Sequence, residues 1–327
     1  MPSPPRFLLL AATAATVLAS LPAAAGPVGF SLVHIPDGTD PPIEAGIWYP
    51  TSATPQPTHI ETFVQDVAPD SPAAAGALPL VVMSHGHGGS YGSHADTSLA
   101  LAQAGIVAAS LTHGGDNYRD ESRDTDLHHR VHQLHVLASW MLHGWHRGTI
   151  DPARVGAFGF SAGGFTVLAL AGGNPNLSLV RPFCQAHPAE FTCRLVGAHK
   201  MEATDAASLP FEHDPGLRAI VVAAPAVGFT FAGGGLSAVT MPVQLWQAKD
   251  DQILPSPDYV EPVAAALPTP PQWHVVPHAG HFDFLAPCWA MLARIAPPIC
   301  VSKPGFDRAA FHADLDAEVV RFFRAKL

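Results

Sequence analysis

The chain reads as an α/β fold, a mainly parallel sheet with helices on both faces. Three observations lead there. Short, almost unbroken apolar runs such as "LPLVVMSH" and "RAIVVAAP" have the composition of strands buried on both sides of a sheet. These runs alternate with segments of helical spacing, the order that lays a parallel sheet between helices. With 327 residues, 48% of them apolar and 13% charged, the chain can bury a large core and does not have a disordered composition.

The first 25 residues stand apart. Arg6 precedes an apolar stretch from Phe7 to about Leu21, then Pro22 and three alanines lead into Gly26. This is the make-up of a secretory signal cleaved after Ala25, so the mature protein is expected in the periplasm or outside the cell. No later stretch is long and apolar enough to span a bilayer, and stable membrane insertion is not expected. Residues 26–327 read as one domain. Strands at 28–35 and 43–50, joined by "PDGTDPP", form an antiparallel hairpin at one edge. Residues 51–77, rich in Pro, Ala and Thr, read as a long surface loop. Further strands fall at 79–84, 105–111, 154–160, 218–224, 241–247 and 272–276. Helices fall at about 94–104, 126–146, 162–172, 257–267 and 307–325. Residues 173–215 have little periodicity and read as an insertion or lid over the sheet edge.

The net charge is −10 and no Lys/Arg cluster occurs, which argues against nucleic-acid or anionic-membrane binding driven by charge. Four cysteines follow the signal segment, and an even number in an exported chain points to disulfides. Three connectivities exist, and proximity favours Cys184–Cys193 and Cys288–Cys300. Each such loop closure stabilises by roughly 2.5–3 kcal/mol in the chain-entropy account. The cysteine spacings do not match a zinc site.

"VGAFGFSAGG" contains Gly159-Phe160-Ser161-Ala162-Gly163, after an apolar strand and before a segment of helical spacing. A strand, a sharp turn and a helix are the setting in which a serine hydroxyl is exposed as a nucleophile. The glycines let strand and helix approach each other, and the helix N-terminus favours developing negative charge. A serine hydroxyl needs a base. His281, in "PHAGHFDFL" after the last strand, sits where reactive groups of a parallel sheet collect; His278 is the alternative. The acid that orients it comes from "KDDQILP" after strand 241–247, with Asp251 preferred over Asp250 and Asp283. The order is nucleophile, acid, base. The Gly-rich turn in "VVMSHGHGGS" supplies a second element: an oxyanion hole from the backbone N–H groups of Ala162 and His87.

These motifs together resemble an α/β-hydrolase, and more narrowly the bacterial dienelactone-hydrolase-like serine esterases and platelet-activating-factor acetylhydrolases. The residues that carry the resemblance are Ser84-His85-Gly86-His87-Gly88-Gly89, the elbow at 159–164, "KDDQILP" and "AGHFDFLAPC". The resemblance implies an eight-stranded, mostly parallel fold, a Ser161–Asp251–His281 triad and oxyanion N–H groups at His87 and Ala162. Phe160 stands where these families often carry His. A serine stands where true dienelactone hydrolases use cysteine, so lactone chemistry is not implied. The expected substrate is a small-molecule or lipid-like carboxylic ester, with Phe160, Trp246 and Phe282 lining an apolar subsite and no cofactor or metal. Short-acyl phospholipids and aromatic or polymeric esters are alternatives.

"LHHRVHQLHVLASWMLHGWH" sets a rival reading, a metal-binding or non-catalytic exported protein on a hydrolase scaffold. His128, His132 and His135 share one face of the helix at i, i+4 and i+7. Leu127, Val131, Leu134, Ala138, Met141 and Trp145 form an apolar stripe beside them, which favours an amphipathic helix with histidines at its solvent boundary.

Overall fold

The computed structural model describes residues 26–198 and 210–327; the expected signal segment, 1–25, and residues 199–209 of the expected insertion lie outside the described residues. The chain opens with β1 (Val28–Asp37) and β2 (Asp40–Pro50), paired antiparallel, then a second hairpin, β3 (Gln56–Ile60) and β4 (Phe63–Pro69). Next come β5 (Ala77–Ser84), α1 (Ala95–Gln103), β6 (Val107–Thr112), α2 (Leu127–His143), β7 (Thr149–Phe160) and α3 (Ala162–Leu170). The insertion contains α4 (Val180–Ala186) and α5 (Phe191–Ala198). The remainder is β8 (Leu217–Ala223), β9 (Val243–Ala248), α6 (Val260–Ala266), β10 (Gln272–Val276), α7 (Leu292–Ile295), α8 (Pro297–Cys300) and α9 (Arg308–Lys326).

Among the described residues the sheet has ten strands in the order β10, β9, β8, β7, β5, β6, β2, β1, β4, β3. Strands β10 through β6 run parallel, whereas β6 with β2, β2 with β1 and β4 with β3 are antiparallel. This corrects the expected eight-stranded, mostly parallel sheet. The two extra strands lie in 51–77, which the composition assigns to a loop. Pro57 is tolerated there because β3 is the edge strand, where a missing N–H breaks no ladder. Among the described residues no helix is long and apolar enough to cross a membrane.

Strand parity divides the core. Val155 and Ala157 of β7 and Ile220 and Val222 of β8 face α2, α3 and α6. Phe158 and Phe160, with Ala219, Val221 and Ala223, face α1 and α9, where they meet Leu101, Leu315 and Phe323. The stripe of α2 is buried at Val131, Leu134, Ala138 and Met141. Side-chain oxygens of Asp126 and Asp307 cap α2 and α9, each accepting a backbone N–H of the first turn. The parallel strands β5 to β10 present their C-terminal ends at one edge, and the polar residues that follow them converge there.

Candidate active site

Ser161 joins β7 to α3 with φ of +56°, a left-handed conformation that non-glycine residues adopt only under strain. The turn closes because its neighbours lack side chains. A Cβ on Gly159 would sit 2.1 Å from the Gly163 carbonyl oxygen, and one on Gly163 would sit 1.9 Å from that of Ser84. The Ser161 hydroxyl lies 3.0 Å from His281 Nε2. His281 Nδ1 lies 2.7 Å from Asp251 Oδ2, and both side chains are buried. The other Asp251 oxygen accepts the N–H groups of Ile253 and Leu254 at 2.9 and 2.8 Å. With a carboxylate at Nδ1, the imidazole proton resides there and Nε2 presents a lone pair to the serine. Asp250 points outward to Lys303 Nζ at 2.9 Å, and His278 lies 3.9 Å from that same carboxylate. The structure therefore brings Ser161, Asp251 and His281 together, and leaves Asp250 and His278 at the surface.

The loop after β5 passes beside the serine, since a Cβ on Gly86 would lie 3.1 Å from Ser161 Cβ. Among the described residues, the N–H groups of His87 and Ala162 find no acceptor. The loop is held from beneath by a buried polar network that sequence reasoning missed. His113 N–H donates to His85 Nε2 at 3.0 Å, and His85 Nδ1–H donates to the Gly86 carbonyl at 2.6 Å. Ser84 Oγ–H donates to His113 Nε2 at 2.8 Å, and His113 Nδ1–H donates to Gln133 Oε1 at 3.1 Å. Asp116, after β6, accepts from His87 Nδ1–H at 2.8 Å and Gly88 N–H at 2.9 Å, and pairs with the buried Arg130 of α2. The β3–β4 turn also reaches this loop, where Ser90 Oγ–H donates to Glu61 at 2.5 Å. Arg130 left a signal in the sequence: it falls on the period of Leu134, Leu137 and Met141, a charge on an apolar face.

The bonding pattern requires His85 to be neutral, because its Nε2 accepts a backbone N–H, and burial favours neutral His113, whose Nε2 then accepts from Ser84. Burial, then the Arg130 guanidinium, pushes His85 down to about 3 and holds His113 well below its ordinary value. Burial likewise pushes His94, edge-on to Phe158 and Phe160, down to about 4. In the unfolded chain all three titrate near about 6.5. Below that pH the unfolded state binds more protons than the folded state, so stability falls as the pH drops from about 6.5 towards 4. Thermal melts across this window are expected to show a steadily decreasing midpoint. A midpoint independent of pH would contradict the neutral assignments.

The three predicted subsite aromatics separate. Phe282 is partly exposed and packs edge-on to His281. Phe160 is buried on the α1/α9 side, 4.8 Å from the His281 ring, and forms a floor under it. Trp246 stacks on His274 at 4.1 Å and meets Phe284 and Phe311 within the core. Strand parity thus puts Phe160 and Trp246 on the α1/α9 face of the sheet, Phe160 against the His281 ring and Trp246 among core aromatics. Phe191, not anticipated, comes from the insertion to lie 5.8 Å from the His87 ring. Its helix is tied down by the Cys184–Cys193 bridge and by the Tyr259 hydroxyl, which contacts Glu190 and Thr192.

The histidines of α2 disperse. His128 stacks on Phe211 at 3.9 Å, and His132 bonds Glu212 and Asp37. Among the described residues His128, His132 and His135 do not gather into a ligand set; a different group, Asp37, Asp40 and His129, lies nearby.

The Cys288–Cys300 bridge closes the segment that follows His281, and α8 within it packs against the turn carrying His281. Arg308 of α9 donates to the carbonyls of Leu285 and Ile299, joining the base loop to the bridged segment. Opening this bridge in a Cys288→Ala/Cys300→Ala variant is expected to lower any turnover by ~10- to 100-fold while the circular dichroism spectrum is kept, since about 1 Å of misplacement can cost ~100-fold. Unchanged turnover would remove the anchoring role.

A serine on a strained strand-to-helix turn thus lies within hydrogen-bonding reach of a histidine, and that histidine of an acid, from two later strand ends. One solved structure similar to the chain is a ferulic acid esterase from Streptomyces cinnamoneus, with a TM-score of 0.63 and 18% sequence identity. The match covers 94% of this chain and 92% of that chain, so the two share their fold across nearly their whole lengths. No family model and no curated protein matches the chain.

Proposed function

We propose that the protein is an exported serine hydrolase of carboxylic esters. The observation that carries this reading is the chain of contacts from Ser161 Oγ to His281 Nε2 at 3.0 Å and from His281 Nδ1 to Asp251 at 2.7 Å. In this reading His281 takes the serine proton as Oγ attacks the ester carbonyl carbon. The carbonyl electron pair moves to oxygen, and the oxyanion is held by the N–H groups of Ala162 and His87. Collapse expels the alcohol, which takes the proton from His281, and leaves an acyl-serine. Water then repeats the sequence, with His281 as base, and releases the acid and free Ser161. Asp251 keeps the imidazole in the productive tautomer and stabilises its cation.

Export rests on the first 25 residues, and the two disulfides fit an oxidising compartment. The narrower likeness to dienelactone-hydrolase-like esterases and platelet-activating-factor acetylhydrolases rests on the sequence motifs alone. An aromatic acyl group is a second reading, favoured by the ferulic acid esterase neighbour and by Phe282 and Phe191 near the site. The test is a panel of p-nitrophenyl esters of rising chain length, a methyl hydroxycinnamate, a short-acyl phospholipid and a polyester, with fluorophosphonate labelling alongside. Turnover of any member with labelling at Ser161 is the expected result. Absence of both labelling and turnover would reject the hydrolase reading.

A further inference from the structure

We infer that the buried Arg130–Asp116 pair is a positioning device that sets the two donors of the oxyanion hole relative to each other. The inference rests on the hydrolase reading above for its catalytic meaning, and on contacts alone for its structural content. The two proposed donors belong to segments far apart in sequence: His87 lies after β5 and Ala162 opens α3. Two N–H groups act on one oxygen only if their separation is held to a fraction of an ångström. A flexible glycine turn does not provide that by itself.

The pair contacts both segments. On the loop side, Asp116 Oδ1 accepts from His87 Nδ1–H and Gly88 N–H at 2.8 and 2.9 Å, and Arg130 Nη2 donates to the His85 carbonyl. On the helix side, Arg130 Nε donates to Thr166 Oγ1 at 3.3 Å, and that hydroxyl donates to the Ala162 carbonyl at 2.8 Å. Asp116 Oδ2 pairs with Arg130 Nη1. The route therefore runs from the residue carrying one donor, through carboxylate, guanidinium and hydroxyl, to the residue carrying the other. Both ionic side chains are 1% exposed. Burial pushes the Asp116 carboxyl up, but Arg130, His87 and the Gly88 N–H outweigh it and hold it below the usual carboxylate range. A buried ion pair is a weak source of net stability, because desolvation offsets the attraction. Its geometric effect here is specific: the planar guanidinium offers several donors in fixed directions, and each meets an acceptor on a different element.

The test compares Asp116→Asn, Arg130→Met, Arg130→Lys and the double variant Asp116→Asn/Arg130→Met with the unmodified protein. The double variant leaves no unpaired buried charge, so it keeps the experiment informative where a single change fails to fold. Rates are normalised to active sites titrated by the p-nitrophenyl burst. Loss of an oxyanion donor lowers kcat by about 10²–10³. The double variant is expected to lose ~100-fold in kcat per titrated site, with KM changed by less than ~3-fold, and Arg130→Lys is expected to recover part of that loss. Hydrogen exchange at 85–89 and 161–166 is expected to quicken together in the double variant. A folded double variant with unchanged kcat per site, or one in which KM alone rises, overturns the proposal. If the unmodified protein neither turns over esters nor labels, the hydrolase reading has failed, and exchange decides the structural claim: unchanged exchange at both segments overturns it, and coupled quickening supports it.

Discussion

Replacing Ser161 with alanine is expected to lower ester turnover by ~10⁴- to 10⁶-fold and to abolish fluorophosphonate labelling. The fold is expected to survive. Alanine carries the same Cβ as serine, so the φ of +56° costs the same in both, and the hydroxyl's recorded side-chain partner is His281. Ser161→Gly is equally inactive in this account, yet at least as stable, because glycine adopts that φ without steric strain of about 1–3 kcal/mol. Rates per mole of folded protein and thermal midpoints check both statements. A Ser161→Ala variant with more than a few per cent of activity would sink the nucleophile assignment.

Asp251→Asn is expected to cost ~10⁴-fold in kcat. The carbonyl oxygen of the asparagine amide can still accept from Ile253 N–H and Leu254 N–H, so the loop is kept. Its NH₂, however, then faces His281 Nδ1 and donates where the carboxylate accepted. The imidazole proton moves to Nε2, and the nitrogen next to Ser161 no longer has a lone pair to take the serine proton. Asp250→Asn changes surface contacts with Lys303 and His278 and is expected to alter kcat by less than ~3-fold. Equal losses in the two variants, or the reverse order, would reassign the acid.

Much of the candidate site is legible in the sequence. The strand–serine–helix turn around Ser161 is a local steric requirement, so its glycines and apolar flanks are written within ten consecutive residues. His281 and Asp251 were legible for a related reason. Parallel strands deliver the residues that follow them to one edge, and chain order then orders the groups. The structure places these three within hydrogen-bonding distance of one another. The hairpin β3–β4 was not legible, because Pro-rich composition reads as loop until a neighbouring strand shows that the proline lies on a free edge.

What the sequence by itself determined was the alternation of buried strands with helices, the elbow, and the ordered candidates after β7, β9 and β10. Each depends on a period or spacing shorter than about a dozen residues, which local pattern records directly. What only the tertiary structure decided was direction and partnership. Phe160 and Trp246 turn into the α1/α9 core because register with neighbouring strands sets which face each residue of a strand occupies. Asp116 and Arg130 meet across 14 residues, and Arg130 meets the His85 carbonyl across 45. Such contacts form because a charge drawn into the core by its helix face must find a counter-charge and acceptors there, and those partners come from other strand ends.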